Sequence, residues 1–365
     1  MPNKQRCFPI KYNHQILPID IQKYKQIAII GPKANRCILG GYSGEPKVCV
    51  SPLEGIKTLN KPITISYSEG CRLTDSGSWF KDPVVLSNRQ QNLQRIAEAV
   101  SVAKAADMVI LFVGGNEVLS REAWSVRHHG DIPNLELVGE QNELISAIKA
   151  TGKPIVAVVN SGQPLAFQHL NNQADAVVQA WYLGQEGGTA IAQMLFGKSN
   201  PSGKLPISIA RSAGHLPVYY NHKPSSKLRG YLLEEATPLY PFGFGLSYTQ
   251  FAYSNLQISK SSIGSKDSAV VSVTVANIGK KDGSEVVQCY IGDDISTITR
   301  PVKELKDFAK VYLQPGEKKV VRFTITPDKL SFYDANMRKV VEKDSFTIMV
   351  GTSSISYETI KLQIQ

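Results

Sequence analysis

The chain is short of cysteine, of long apolar runs and of basic clusters, and each shortage removes a class of protein. Its five cysteines, Cys7, Cys37, Cys49, Cys71 and Cys289, are too few and too irregularly spaced for a disulfide framework. None forms a C-x-x-C pair, and at most one bridge among the first four is expected. No apolar run reaches the length that spans a bilayer, so no membrane anchor is expected. The start, Met1-Pro-Asn-Lys-Gln-Arg-Cys7, lacks the apolar core of a signal peptide. As written the chain reads as cytoplasmic, and a longer front end would make it periplasmic or secreted. His128 and His129 are adjacent, so their side chains diverge, and no Cys or Asp cluster joins them at metal-ligand spacing. They read as polar loop residues, and neither a metal nor a cofactor is expected.

The net charge of +10 over 365 residues raises the question of a nucleic-acid partner. Its basic residues are scattered, as at Lys23, Lys25, Lys280, Lys281, Lys318 and Lys319, with no Lys/Arg run interleaved with stacking aromatics. That pattern is a solvated surface, and neither nucleic acid nor membrane is expected as a partner. With 42% hydrophobic and 20% charged residues, a chain of this length is globular and holds two or three domains.

Residues 1–25, with Pro2, Pro9 and Pro18, read as a lead-in. From 26 to 210 buried strands alternate with helices: Ile27–Ile30, a helix over Asn88–Ala105, Met108–Val113, a helix over Glu140–Ala150, Ile155–Val159 and Ala176–Ala180. In the first helix Leu93, Ile96, Ala97, Val100 and Ala103 share one face. A last helix stops at Gly197, the expected C′ glycine. This alternation defines a layered α/β sandwich domain. Residues 211–254 are rich in proline, glycine and tyrosine without helical period and read as a wrapping linker. From 255 to 365, short β-rich segments such as Val270–Val275, Glu285–Ile291, Val320–Ile325 and Phe346–Val350 predict an all-β sandwich of immunoglobulin-like type.

Two familiar motifs fail on inspection. Gly40-Gly-Tyr-Ser-Gly44 is not a nucleophile elbow, because Glu45 stands where glycine is required. Gly197-Lys-Ser199 resembles the end of a phosphate loop, but the upstream glycine is Ala192 and the lysine sits at a helix C-terminus.

The loop Gly114–Asp131 follows the strand Met108–Val113 and carries Glu117, Arg121, Glu122 and Trp124. Loops at the C-terminal ends of α/β strands are where ligands bind. Paired carboxylates beside an aromatic suit glycosidic cleavage, in which one acid protonates the leaving oxygen and the aromatic stacks on a sugar face. Two surface charges are the plainer reading of the same residues.

Read together, the motifs Gly40–Gly44, Ala106–Gly114, Asn116-Glu117, Ser120-Arg-Glu-Ala-Trp124, Val159–Leu165, Ala180–Gly188, Leu195–Pro206, Leu216–His222 and Pro238–Tyr248 closely resemble the C-terminal portion of glycoside hydrolase family 3, the β-glucosidase and β-xylosidase family. Val275–Gly279, Gly283–Gln288, Arg300–Leu305 and Leu313–Glu317 resemble the fibronectin type III-like domain that follows in that family. The resemblance implies that Glu122 is the general acid/base, with Glu117 in reserve, and that Arg121 and Trp124 contact substrate. It also implies that the nucleophilic Asp comes from a family (β/α) barrel, in cis or in trans, since no segment here resembles one. Where relatives often carry Gly-Glu-Asn-Glu and Gly-Asp-Arg, this chain has Gly114-Gly-Asn-Glu117 and Gly130-Asp-Ile132, so one guanidinium is replaced by an alkyl group. The expected function is the acid/base-bearing part of a retaining, exo-acting β-glycosidase on β-linked oligosaccharides. The alternatives are a non-catalytic carbohydrate-binding or interaction module and an inactive gene fragment.

Overall fold

A computed structural model describes residues 8–12, 16–37, 39–44, 46–77, 79–80, 82–224 and 230–365. Cys7 and Glu45 lie outside these. The chain divides into two compact units, 1–203 with 210–216, and 204–209 with 217–365.

The first unit is built on a six-stranded sheet. Its elements are β1 (Phe8–Tyr12), β2 (Gln26–Ile30), α1 (Pro52–Lys57), β3 (Thr64–Ser68), the small ribbon β4 (Thr74–Ser76) and β5 (Val85–Leu86), α2 (Arg89–Lys104), β6 (Met108–Gly114), α3 (Gln141–Lys149), β7 (Ile155–Asn160), α4 (Gln168–Gln173), β8 (Ala176–Gln179) and α5 (Gly187–Leu195). The sheet order is β1-β8-β7-β6-β2-β3. Strands β2, β3, β6, β7 and β8 are parallel, and β1 joins β8 antiparallel as an edge. Helices α1 and α5 pack on each other, and α3 packs on both α2 and α4, as in a doubly wound sheet covered on both sides. That cover explains the unbroken apolar run of β6, all of whose residues are buried.

Two details differ from the sequence reading. The inward face of α2 is Asn92, Ile96, Ala99 and Ala103, while Leu93 is exposed. A polar residue fixes this rotation: buried Asn92 accepts from Arg72 N–H at 2.9 Å, and its amide donates to Arg72 O at 2.9 Å and Glu140 Oε2 at 2.6 Å. The proline-bearing start also supplies an edge strand, β1, and buries Ile16, Leu17 and Ile19. Elsewhere local chemistry runs as expected. Asn88 caps α2 by accepting from Gln91 N–H at 3.1 Å, and Gly197 takes φ +72° just past α5. Cys37 and Cys49 form a disulfide, and Cys71 and Cys289 are buried thiols.

The second unit is a β-sandwich. One sheet orders β10 (Ser262–Ile263), β18 (Ser356–Ile364), β17 (Ser345–Ser353), β12 (Gly283–Asp293) and β13 (Glu304–Leu313). The other orders β14 (Lys318–Ile325), β11 (Ala269–Asn277) and β9 (Phe251–Ile258), and β15 (Phe332–Tyr333) pairs with β16 (Lys339–Val340). Alternate residues, among them Val271, Val273, Val287, Cys289, Phe323, Phe346 and Ile348, form the core. Residues 217–250 belong to this unit: Gln288 donates to Gly243 O at 3.0 Å, and Leu305 N–H donates to Tyr220 Oη at 3.0 Å.

In the first unit, one pair of hydrogen bonds fixes where the long loop after β6 departs and returns. The fully buried Gln141, first residue of α3, accepts from Gly114 N–H at 2.8 Å and donates to Gly114 O at 3.0 Å. Gln141→Ala strands both groups of that peptide away from water, each at about 1–3 kcal/mol. Denaturant unfolding is expected to show a loss of about 2–4 kcal/mol; a change within about 0.5 kcal/mol would mean the pair is dispensable.

Candidate active site

The loop that leaves β6 at Gly114 is shaped by its backbone before its side chains. Gly114 has φ +140°, and a Cβ there would lie 1.8 Å from Asn160 O, so only glycine lets the chain turn off beside β7. Asn116 then organises a turn, its Oδ1 accepting from Leu119 N–H at 2.9 Å while Ser120 Oγ donates to Asn116 O at 3.0 Å. Val118 and Leu119 are buried and anchor the turn.

Arg121 is 1% exposed. Its Nε donates to His129 O at 2.7 Å, and its terminal nitrogens reach Trp79 O at 3.5 Å and Asp82 Oδ1 at 3.1 Å. His128, also buried, places Nδ1 2.7 Å from the same Asp82 oxygen and stacks on Trp124 at 4.2 Å between ring centroids. One carboxylate and one guanidinium thus tie the loop to Trp79 and Asp82. The family resemblance implies that Arg121 and Trp124 contact substrate; the Arg121 guanidinium is engaged by protein groups, while Trp124 is 74% exposed.

Glu122 sits between them and points to solvent. Its backbone is held on both sides: Asp131 N–H donates to Arg121 O at 2.9 Å, and Ala123 N–H donates to Asp131 Oδ2 at 2.9 Å. Asp131 adopts φ +50°, a conformation that short polar side chains tolerate. A Cβ on Gly130 would fall 2.2 Å from Arg121 O, so glycine is needed for this close approach. The Glu122 carboxylate makes no hydrogen bond among the described residues, and is presented on a backbone that cannot swing freely.

Glu117 is half-buried. Its charge favours the ammonium form of the buried Lys33 and opposes ionisation of Tyr182, whose phenol is pushed up to about 12 mainly by burial. The Tyr182 hydroxyl is buried near Gly162 and Ser120 but in hydrogen-bond geometry with neither. Sequence reasoning found Glu117, Glu122 and Trp124 from one local pattern. It missed Asp82, Trp79 and Lys33, which come from segments without periodicity; for Lys33 the available signal was a lysine three residues past a buried strand.

A doubly wound domain that presents a loop-borne carboxylate and an open aromatic ring at its strand ends, followed in sequence by a β-sandwich, defines an α/β plus β-sandwich protein with a candidate ligand loop. The comparisons identify which kind. Residues 10–248 match the glycosyl hydrolase family 3 C-terminal domain, and 285–354 match a fibronectin type III-like domain. The chain belongs to glycoside hydrolase family 3. It is 38% identical to a β-xylosidase of Formosa agariphila over 94% of its length and 46% of the relative's, and 38% identical to a periplasmic β-glucosidase of Salmonella typhimurium over 94% and 47%. Among solved structures, a β-glucosidase from Erythrobacter marinus superposes with TM-score 0.94 at 40% identity, covering 98% of this chain and 49% of that one. A mutant β-glucosidase from Listeria innocua in complex with laminaribiose gives 0.83 at 30% identity, covering 98% and 48%. The chain therefore spans about half the length of the relatives it matches.

Arg121→Ala removes the cation that Asp82 and the Trp79 and His129 carbonyls share. The expected loss is about 2–4 kcal/mol, with faster amide hydrogen exchange over residues 79–82 and 121–131. Unaltered exchange in both segments would show that the loop is held by other contacts.

Proposed function

We propose that this chain supplies the general acid/base of a retaining, exo-acting β-glycosidase of β-glucosidase or β-xylosidase type, and that Glu122 is that residue. The observation that carries the assignment is the pairing of an exposed, unengaged carboxylate with a backbone pinned through Asp131 on both sides. Family membership supports the reaction class. Glu117 fits the role less well, because it is half-buried and faces Lys33.

In the first step Glu122 donates its proton to the glycosidic oxygen as a nucleophilic Asp from a family barrel, in cis or in trans, attacks the anomeric carbon. The aglycone leaves as an alcohol and a glycosyl-enzyme forms. In the second step the Glu122 carboxylate takes a proton from water as its oxygen attacks the anomeric carbon, releasing the sugar with retained configuration. Trp124 stacks one face on His128 and offers the other to a sugar ring. Arg121 acts from beneath, holding the loop.

The test uses the chain together with a family barrel, fused or mixed. Glu122→Gln is expected to lower turnover of a β-linked disaccharide by about 10²–10⁴-fold. A dinitrophenyl glycoside, whose leaving group needs no proton, should suffer far less in the first step, and added azide should yield a β-glycosyl azide. If Glu117→Gln gives this pattern and Glu122→Gln does not, the assignment moves to Glu117. If no β-glycoside is cleaved by the parent assembly, the reaction class itself is wrong.

A further inference from the structure

The parallel strands run β3-β2-β6-β7-β8 across the sheet, so the chain order reverses between β2 and β6. In open α/β sheets a crevice forms at that switch point, outside the carboxyl ends of the strands, and ligands bind there. The residues that leave β2 and β6 at this place are Gly31-Pro-Lys33 and Gly115-Asn-Glu117. A recess there is lined by Lys33, Arg36, Glu69, Arg72 and Asn116, and a neighbouring one again by Lys33 and Arg36 with Asn160.

Lys33 is 2% exposed and makes no hydrogen bond or ion pair among the described residues. A lysine so deeply buried is almost always paired, because an unpaired interior ammonium is costly. Glu69 in the same recess is already engaged by Arg72, 2.7 Å away. Arg36, exposed at the rim, also lacks an ion-pair partner among the described residues. Buried Asn116 uses Oδ1 on Leu119 N–H, and no acceptor among the described residues takes its amide hydrogens. The charged and amide groups lining the recess that no described residue engages are thus two cations and an amide, all donors, with the Glu117 carboxylate near Lys33 as the opposing charge.

We propose that the switch-point recess binds a small oxyanion, a carboxylate, sulfate or phosphate group either free or carried on a sugar, through Lys33, Arg36 and the Asn116 amide. This goes beyond the glycosidase reading and stands whether or not Glu122 is the acid/base. It implies a pH dependence. Burial pushes the Lys33 amine down to about 7; Arg36 adds to that, while Glu117 and the Cys71 thiol oppose it. The Glu69 and Arg72 charges across the recess offset each other. A bound oxyanion stabilises the ammonium, so above about pH 7 binding takes up a proton and weakens as pH rises.

Isothermal titration with sodium sulfate, sodium glucuronate and glucose, at about pH 6.5 and about pH 8.5, tests the site on the whole chain. Saturable binding of at least one oxyanion is expected, weaker at the higher pH, with glucose silent. Lys33→Met should cut the affinity on the order of tenfold or more, and Arg36→Ala several-fold. Arg36 is exposed, so its variant and the pH comparison decide the matter even if Lys33→Met fails to fold. Tighter binding of glucuronate than sulfate identifies an acid-bearing sugar as the source, and the reverse identifies a free inorganic ion. No oxyanion binding, equal binding of glucose, or wild-type affinity in the Arg36 variant overturns the proposal.

Discussion

The first unit depends on one buried amide. Gln141 closes both hydrogen bonds of the Gly114 peptide, so the loop between β6 and α3 departs from and returns to one fixed point. A parallel sheet covered on both faces leaves no freedom in its strands, and its functional freedom lies in the loops at the strand ends. Joining the loop's ends with a glutamine rather than an apolar contact adds direction as well as adhesion. The N–H and C=O of Gly114 are both satisfied only in one orientation, and that orientation starts the loop beside Asn160 at the end of β7. Glu140, next to Gln141, extends the same logic by binding Asn92, so α2, α3 and the loop share one polar seam.

Within the loop, neighbouring residues have opposite surroundings. Arg121 is buried and bonded, whereas Glu122 is exposed and unbonded, although they are adjacent in the chain. Such a contrast requires a backbone that does not relax, because a flexible loop would let the two charges pair. Gly130 and Asp131 provide the restraint by packing against the peptides on either side of Glu122. The Arg121 guanidinium meanwhile is neutralised from a different segment, at Asp82, and among the described residues no cation pairs with the Glu122 carboxylate.

Much of the fold was legible because it is written in local periodicity. The buried strand Met108–Val113 appears as Met108–Gly114, and the helix expected from Asn88 begins with that residue as its cap. Strands β1, β13 and β18 were harder to see. β1 contains Pro9, and β13 alternates lysines with exposed Phe308 and Tyr312, so neither presents a continuous apolar signal. The rotation of α2 was misread for a related reason: its core-facing stripe begins with a polar residue, Asn92, whose partners Arg72 and Glu140 are remote in sequence. For the loop, residue types at close spacing revealed the carboxylates and the tryptophan. The partners that decide what Arg121 does, Asp82 and the Trp79 and His129 carbonyls, could not be read off, since nothing in a local pattern says which distant carbonyl will accept a hydrogen bond.

The sandwich unit shows the same use of polar side chains at places where regular structure stops. Asn277, at the end of β11 and fully buried, donates to Lys281 O and Leu313 O, while its Oδ1 accepts from the Thr249 hydroxyl at 2.7 Å. Glu285 is deeply buried, yet it is met by Lys204 at 3.2 Å and by the Tyr253 hydroxyl at 3.1 Å. Burial alone drives its carboxyl upward, and the lysine pulls it back. In both units these buried polar groups find protein partners at element ends, as the cost of leaving them bare favours, although a few buried atoms among the described residues, the Tyr182 hydroxyl and Asn160 Oδ1 included, do not. Lys33 adds an amine to this unsatisfied set. At 2% exposed it is nearly as buried as Asn277, it carries a longer and more costly group, and among the described residues it makes no hydrogen bond or ion pair, Glu117 acting on it through its charge alone, at the position where the order of the sheet reverses and a crevice opens. Asn92, Gln141, Asn277 and Glu285 are satisfied from within, whereas the Lys33 amine is left to a recess, and that contrast is the physical ground for proposing a ligand there.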